Sequence, residues 1–413
     1  MTELETRVAA PHAPPPPAPL PRRAVPALVG YAAVRVLGLV VLAVWSSARG
    51  KSALTLLTAR WDSLWYTRVA ELGYGYQVRL PDGDVHSDLA FFPLLPWLER
   101  GLHALTPLSY AHAGLVVSLL ASLAAAAGIY AVAEHVYGRR VGVCAVLLWA
   151  VLPVAVVQSM AYSESLFTAL AAWALYALLT GRWVSAGLLA ALAGLTRPVG
   201  GAVVAAVWTA AVISFVRERS AARADGARRT AHAPSVAAGP STRVPSPFTL
   251  RRLLGMLIAP LGAAGYVLWV GGRTGKGPFG YLDVQAGWRN GFDGGYAFAC
   301  FVADRFTSFS SALAGVGLIA GVVLLLWLYV SGVRRGQPVE LLVYTGVVLA
   351  LALCASSYFG SKPRLLLPAF PVLLPLAEAL ARTRVSRSAL VTAALAIISA
   401  VYGAFWLNGS GPP

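Results

Sequence analysis

Long apolar runs leave this chain few choices of fold. They fall at about 24–45, 113–134, 141–158, 165–180, 184–196, 199–216, 253–271, 310–332, 340–357, 365–382 and 388–407. A helix crosses the hydrocarbon core of a bilayer in about 20 residues, and within lipid the backbone must satisfy its own hydrogen bonds. The expected fold is therefore an all-α integral membrane protein with about 11 transmembrane helices. Composition agrees. Of 413 residues, 58% are apolar and only 12% charged, against about 25% charged in soluble domains. That excludes a soluble enzyme. The excess of 33 Lys and Arg over 17 Asp and Glu is read as the basic bias of cytoplasmic loops rather than as a nucleic-acid surface.

Charge placement sets the expected topology. With 11 spans, Arg22/Arg23, Arg139/Arg140, Arg182, Arg217 to Arg252, Arg334/Arg335 and Arg382 to Arg387 share one side, which the charge bias makes cytoplasmic. The N-terminus is then cytoplasmic. Residues 1–23, with Pro11 to Pro21 nearly all proline and alanine, are expected to be a disordered cytoplasmic tail. The first run reads as an uncleaved anchor. Residues 24–413 form the multi-pass domain. Within it, 47–112 is a large outer loop with one or two amphipathic pieces on the membrane surface. Residues 217–250 are expected to be a flexible cytoplasmic linker. The loop 272–308 faces outside.

Several charges then stand on the outer side at span ends: Asp62, Glu164, Arg197, Lys362 and Arg364. Charges there are costly and are functional candidates. Asp62 lies in Arg60-Trp61-Asp62-Ser63-Leu64-Trp65-Tyr66. It reads either as the cap of a helix starting at Ser63 within an aromatic belt, or as a general base framed by Trp61 and Trp65 for a sugar or lipid. Glu164 in Tyr162-Ser163-Glu164 suits a helix N-terminus through its dipole. Arg197 in Leu195-Thr196-Arg197-Pro198 sits in a polar break between two short runs, which is tolerated where it lines a cavity. Lys362 and Arg364 either snorkel to headgroups or hold a phosphate. Tyr281, Gln285, Trp288 and Arg289 form a weaker cluster suited to a sugar. Three scattered cysteines and six histidines without metal spacing give no expectation of a metal or cofactor.

In order along the chain, WDSLWY, AFFPLLP, YSESLF, LTRPVG and KPRLLLPAFP resemble motifs of the GPI mannosyltransferase 2 (PIG-V-like) family. That family has bacterial multi-pass relatives and belongs to the GT-C class of membrane glycosyltransferases. The resemblance covers roughly 25–405. It implies a GT-C-type fold, with catalysis in the outer loop 47–112. It further implies inverting transfer of mannose, from polyprenyl-phosphate mannose to a hydroxyl of a lipid or glycan acceptor on the extracytoplasmic face. Asp62 would be the catalytic carboxylate, although Ser63 stands where many GT-C enzymes carry a second acid. Arg197, Lys362 and Arg364 would hold the donor phosphate. Trp61, Trp65, Tyr66, Glu164, Gln285 and Trp288 would contact substrate. The expected partners are the donor, the acceptor and membrane lipids, with no nucleic acid. A GT-C transferase of another sugar, or a lipid or sugar flippase, stands as the alternative.

Overall fold

The computed structural model describes residues 19–230, 247–356 and 358–409. Most of the expected proline-rich tail, residues 1–18, lies outside them. The first helix already begins at Leu20, with proline in its first turn, where the missing N–H costs nothing.

The chain is a multi-pass, all-α membrane protein. Helix α1 spans Leu20–Ala48. The first long loop then folds into α2 (Ala53–Thr58), α3 (Asp62–Leu72), a hairpin of β1 (Gln77–Arg79) and β2 (Val85–Ser87), and α4 (Leu94–Leu105). Helices α5 (Tyr110–Tyr137), α6 (Arg139–Ala150), α7 (Glu164–Leu179), α8 (Trp183–Gly194) and α9 (Gly201–Thr230) follow. Next come α10 (Pro247–Ile258) and α11 (Leu261–Thr274). The second long loop carries α12 (Gly280–Gly287), the short strand β3 (Gly291–Phe292) and α13 (Tyr296–Ala303). The chain closes with α14 (Phe309–Arg334), α15 (Val339–Cys354), strand β4 (Ala355–Ser356), α16 (Lys362–Leu365), α17 (Leu374–Ala381) and α18 (Val385–Leu407). Strand β3 pairs with β4, so the second loop is zipped to the end of α15.

Each apolar run carries a helix, but length separates them. Six helical stretches among the described residues are long and apolar enough to cross a membrane, or seven if a bent pair is one span. Helices α7, α8 and α15 are apolar but shorter. Twelve residues of α8 reach only about 18 Å at 1.5 Å each. A count of 11 full crossings therefore does not follow from helix length. The expected linker also differs. Helix α9 continues to Thr230, because Ala, Arg and Glu after Phe215 are good helix formers. Residues 231–246 lie outside the described residues.

Glycine sets one of the closest helix crossings. Gly187 and Gly194 on α8 meet Gly255 on α10 and the backbone of α11. A β-carbon at Gly262 would stand 1.8 Å from the carbonyl oxygen of Ala191. Small residues let membrane helices approach in this way. Gly262→Ala should therefore destabilise the bundle by about 1–3 kcal/mol, the usual cost of overpacking. A lowered melting temperature in detergent would register it.

Polar side chains repair the broken helices. Between Phe359–Leu365 and Phe370–Ala381 the axis bends by 75°. Trp149 donates to the Leu367 carbonyl at 3.0 Å, and Tyr344 to that of Pro368 at 2.9 Å. Arg35, buried midway along α1, donates to the carbonyls of Ala150 and Ala155, where α6 ends. These four carbonyls at the breaks are each met by a donor, as a membrane interior requires.

Helix α4 carries the opposite case. Glu99 is fully buried against α5, and its carboxylate oxygens have no hydrogen-bond partner. Burial pushes this carboxyl well above its ordinary range. Folding thus takes up a proton once pH exceeds the unfolded value. The stability linked to this group is present at low pH and falls as pH rises toward the folded value. Glu99→Gln should remove that dependence. Its melting temperature should exceed wild type by more at pH 8 than at pH 5.

Candidate active site

The first long loop places its acid through a tight turn. The Ser63 hydroxyl accepts the Arg60 N–H at 2.9 Å and donates to the Arg60 carbonyl at 2.6 Å. Trp61 between them adopts φ 50°, ψ −118°, a region that favours glycine. Helix α3 begins at Asp62, one residue earlier than expected. Its N-cap is Trp61, with no side-chain capping bond. Asp62 therefore sits in the first turn, where the helix dipole favours a carboxylate. Its side chain is one-fifth exposed and faces Arg364, with Oδ2 2.8 Å from Nη1.

Three other segments converge on this turn. Glu164 opens α7 and is 1% exposed. Its Oε1 lies 2.7 Å from Arg197 Nη1 and 3.8 Å from Arg364 Nε. Arg197 comes from the break between α8 and α9. It also donates to the Ser163 hydroxyl at 3.1 Å, and that hydroxyl is 2.7 Å from Tyr66 OH. Burial pushes the Tyr66 phenol upward, so it stays neutral. Arg364 comes from α16, at the bent pair, and lies over the Tyr162 ring at 5.1 Å. Two acids and two guanidinium groups thus share one buried cluster. Both Glu164 oxygens, and Nε and Nη1 of Arg364, make no aligned hydrogen bond there.

The cluster forms one wall of a partly open cavity of about 510 Å³. Trp61, Asp62, Trp65, Tyr66, Glu164, Arg197, Gln285, Trp288 and Arg364 all line it. Lys362 does not. Its ammonium donates to the carbonyls of Ala352 and Ala355 at 2.8 and 2.7 Å, and sits between the Phe298 and Phe359 rings. It caps the end of α15 instead of reaching the cavity. The rest of the wall is apolar, with Val199, Val348, Leu351 and Leu365 among its residues.

The FFP segment seats the loop on this site. Leu94 N–H donates to the Leu195 carbonyl at 3.0 Å, beside the Arg197 break. Phe91 stacks on Trp65 with centroids 5.5 Å apart. The second long loop supplies the roof. Trp288 packs edge-on to Trp65, stacks on His86 at 4.0 Å, and donates to the Ser87 carbonyl at 3.0 Å. Arg289 bridges Asp82 and Asp84 in the hairpin turn. Asn290, absent from the sequence-based candidates, lines the cavity and donates to Gln285 at 3.0 Å. Its only signal was adjacency to Trp288. Ser163 stands at the N-cap of α7 but makes no capping bond, and instead links Tyr66 to Arg197. Tyr281 is buried in an aromatic group with Phe92 and Tyr266, and reaches the site only through Gln285. Among the described residues, no three His, Cys, Asp or Glu side chains come together as a metal-ligand set.

Comparison with known proteins agrees with this architecture. Residues 88–224, a third of the chain, match the dolichyl-phosphate-mannose-protein mannosyltransferase family. No curated protein matches the sequence. The fold is similar to that in the crystal structure of ArnT from Cupriavidus metallidurans bound to undecaprenyl phosphate. The TM-score is 0.50 at 16% identity, over 87% of this chain and 62% of that one. The archaeal oligosaccharyltransferase AglB from Archaeoglobus fulgidus, in complex with an inhibitory peptide and a dolichol-phosphate, aligns at TM-score 0.46 and 14% identity. That alignment covers 93% of this chain and 56% of that one. The chain thus spans less than two thirds of the length of either structure. The likeness to ArnT shows a shared all-α, multi-pass fold, and the family match is confined to residues 88–224.

Proposed function

We propose that this protein transfers a mannosyl residue from polyprenyl-phosphate mannose to an acceptor hydroxyl, with inversion, on the extracytoplasmic face of the membrane. The observation that carries the reading is the meeting of Asp62 with Arg197 and Arg364 on the wall of one cavity. Asp62 takes the proton of the acceptor hydroxyl. The acceptor oxygen bonds to the anomeric carbon from the side opposite the phosphate. The bond from that carbon to the phosphate oxygen breaks, and its electron pair leaves on polyprenyl phosphate. Arg364 and Arg197 neutralise the departing oxygen. Glu164, covered by both arginines, orients them and takes no part in bond making.

Charge and lining favour a monophosphate-linked donor. Asp62 and Glu164 balance the two arginines, so the cluster is neutral before a phosphodiester enters. The proton taken by Asp62 offsets the charge gained by the leaving phosphate. The apolar wall suits a prenyl chain, and Trp61, Trp65 and Trp288 with Gln285 and Asn290 suit a sugar ring. ArnT was crystallised with undecaprenyl phosphate, and the family matched by residues 88–224 is named for dolichyl-phosphate-mannose. The motif resemblance to the GPI mannosyltransferase 2 family points to the same sugar. The basic loops on the opposite side support the orientation.

The test uses purified protein in nanodiscs with radiolabelled polyprenyl-phosphate mannose and a panel of glycolipid acceptors. Transfer by wild type, lost in Asp62→Asn, supports the reading. Transfer only from a different polyprenyl-phosphate sugar would keep the class and replace mannose. Donor crossing the bilayer of proteoliposomes with its sugar intact would instead identify a flippase.

A further inference from the structure

The turn that carries Asp62 is held from an unexpected direction. Arg60 donates to the carbonyl of Leu407 at 2.6 Å, and to that of Gly409 at 3.2 and 3.1 Å through its two terminal nitrogens. These carbonyls end α18, far away in sequence. A helix C-terminus leaves such carbonyls without partners and draws cations. Lys51 donates to the Asn408 carbonyl at 2.8 Å, and the Asn408 side chain donates to Ser46 at 3.1 Å. The end of α18 is thus fastened to both sides of α2, just ahead of the turn.

The same guanidinium lies over the Trp61 ring, 3.9 Å from its centroid. Trp61 holds the positive φ that a residue with a β-carbon avoids. Such conformations persist only when their surroundings over-determine them. Here the surroundings are the Ser63 hydroxyl, bonded to both backbone groups of Arg60, and the Arg60 side chain, anchored on α18. Arg60 does not line the cavity, and its terminal nitrogens are engaged by the carbonyls at the end of α18.

We propose that Arg60 is a positioning residue: it ties the end of α18 to the Trp61 turn and so holds the backbone conformation that aims Asp62 into the cavity. The proposal rests on Asp62 as the base. A shift of the base by about 1 Å can cost about 100-fold in rate without altering substrate binding. Arg60→Ala should therefore lower kcat by about that factor while the donor KM stays within about twofold. Arg60→Lys, which can still donate to the carbonyls, should recover most of the loss.

Strain gives the decisive comparison. Trp61→Ala and Trp61→Gly both lose the ring, but only glycine accepts the turn freely. Trp61→Gly should melt higher than Trp61→Ala, the reverse of their order at an ordinary site. Arg60→Ala should cost much less kcat in the Trp61→Gly background than in the Trp61→Ala background. An equal cost in both, or alanine melting as high as glycine, would overturn the proposal. Asp62→Asn serves as control. If it retains transfer, the functional reading fails, while the glycine-over-alanine order still decides whether the turn is strained and held.

Discussion

Asp62→Asn should lower kcat by about 10²–10⁴, the range lost with a positioned general base. Asparagine has nearly the shape of aspartate, so the turn and helix α3 should survive. What disappears is the group that accepts the hydroxyl proton, and with it one negative charge. Arg364 then loses the partner 2.8 Å away, and the cluster gains a net positive charge. The donor phosphodiester should bind as tightly as to wild type or more tightly. A fall in kcat with an unchanged or lower donor dissociation constant separates loss of the base from loss of structure. Steady-state transfer and calorimetric donor binding would measure the two. A variant within tenfold of wild-type kcat would remove Asp62 from the role of base.

Arg364→Ala should act in the opposite manner. This guanidinium is 7% exposed and is shared by Asp62 and Glu164. Removing it leaves two carboxylates against Arg197 alone. Breaking a buried ion pair from one side costs about 3–5 kcal/mol, because the partner stays buried and uncompensated. The melting temperature should fall. Donor affinity should drop by about 30-fold or more, equivalent to about 2 kcal/mol for a lost charge-assisted contact. Adding Asp62→Asn should restore much of the stability by removing the carboxylate left without its partner, while Glu164 keeps Arg197, but it should not restore donor binding. Arg364→Lys keeps the charge and loses the fork, so it should fall between. Undiminished donor binding by Arg364→Ala would place the phosphate elsewhere.

Much of the site was legible because its residues break a strong pattern. In a chain only 12% charged, a charge at the end of an apolar run stands out. Asp62, Glu164, Arg197 and Arg364 were visible on that ground. Lys362 passed the same filter, but it stands two residues before Arg364 in helix α16. Two residues turn a helix by about 200°, so the two cations leave on nearly opposite sides and only one reaches the cavity. Helix existence followed from the apolar runs. The number of full crossings did not, because runs such as 365–382 break at backbone that neighbouring side chains satisfy. The extension of α9 into the expected linker shows local helix propensity outweighing a polar composition. The linking role of Ser163 and the role proposed for Arg60 depend on contacts across 34 to 349 positions of sequence, which no local pattern encodes.

The interlocked long loops limit how such a protein can be altered. The hairpin of β1 and β2 and the stretch around Trp288 are joined by a ring stack, an indole hydrogen bond and the bridges of Arg289 to Asp82 and Asp84. Neither can be exchanged alone without leaving the other's half of the joint unmatched. Substrate choice, if it resides in this roof, is therefore inherited as a pair of distant segments. A chimaera meant to change it would have to graft residues 77–87 and 285–292 together, and a graft of either one should yield a folded bundle with an ill-fitting cover.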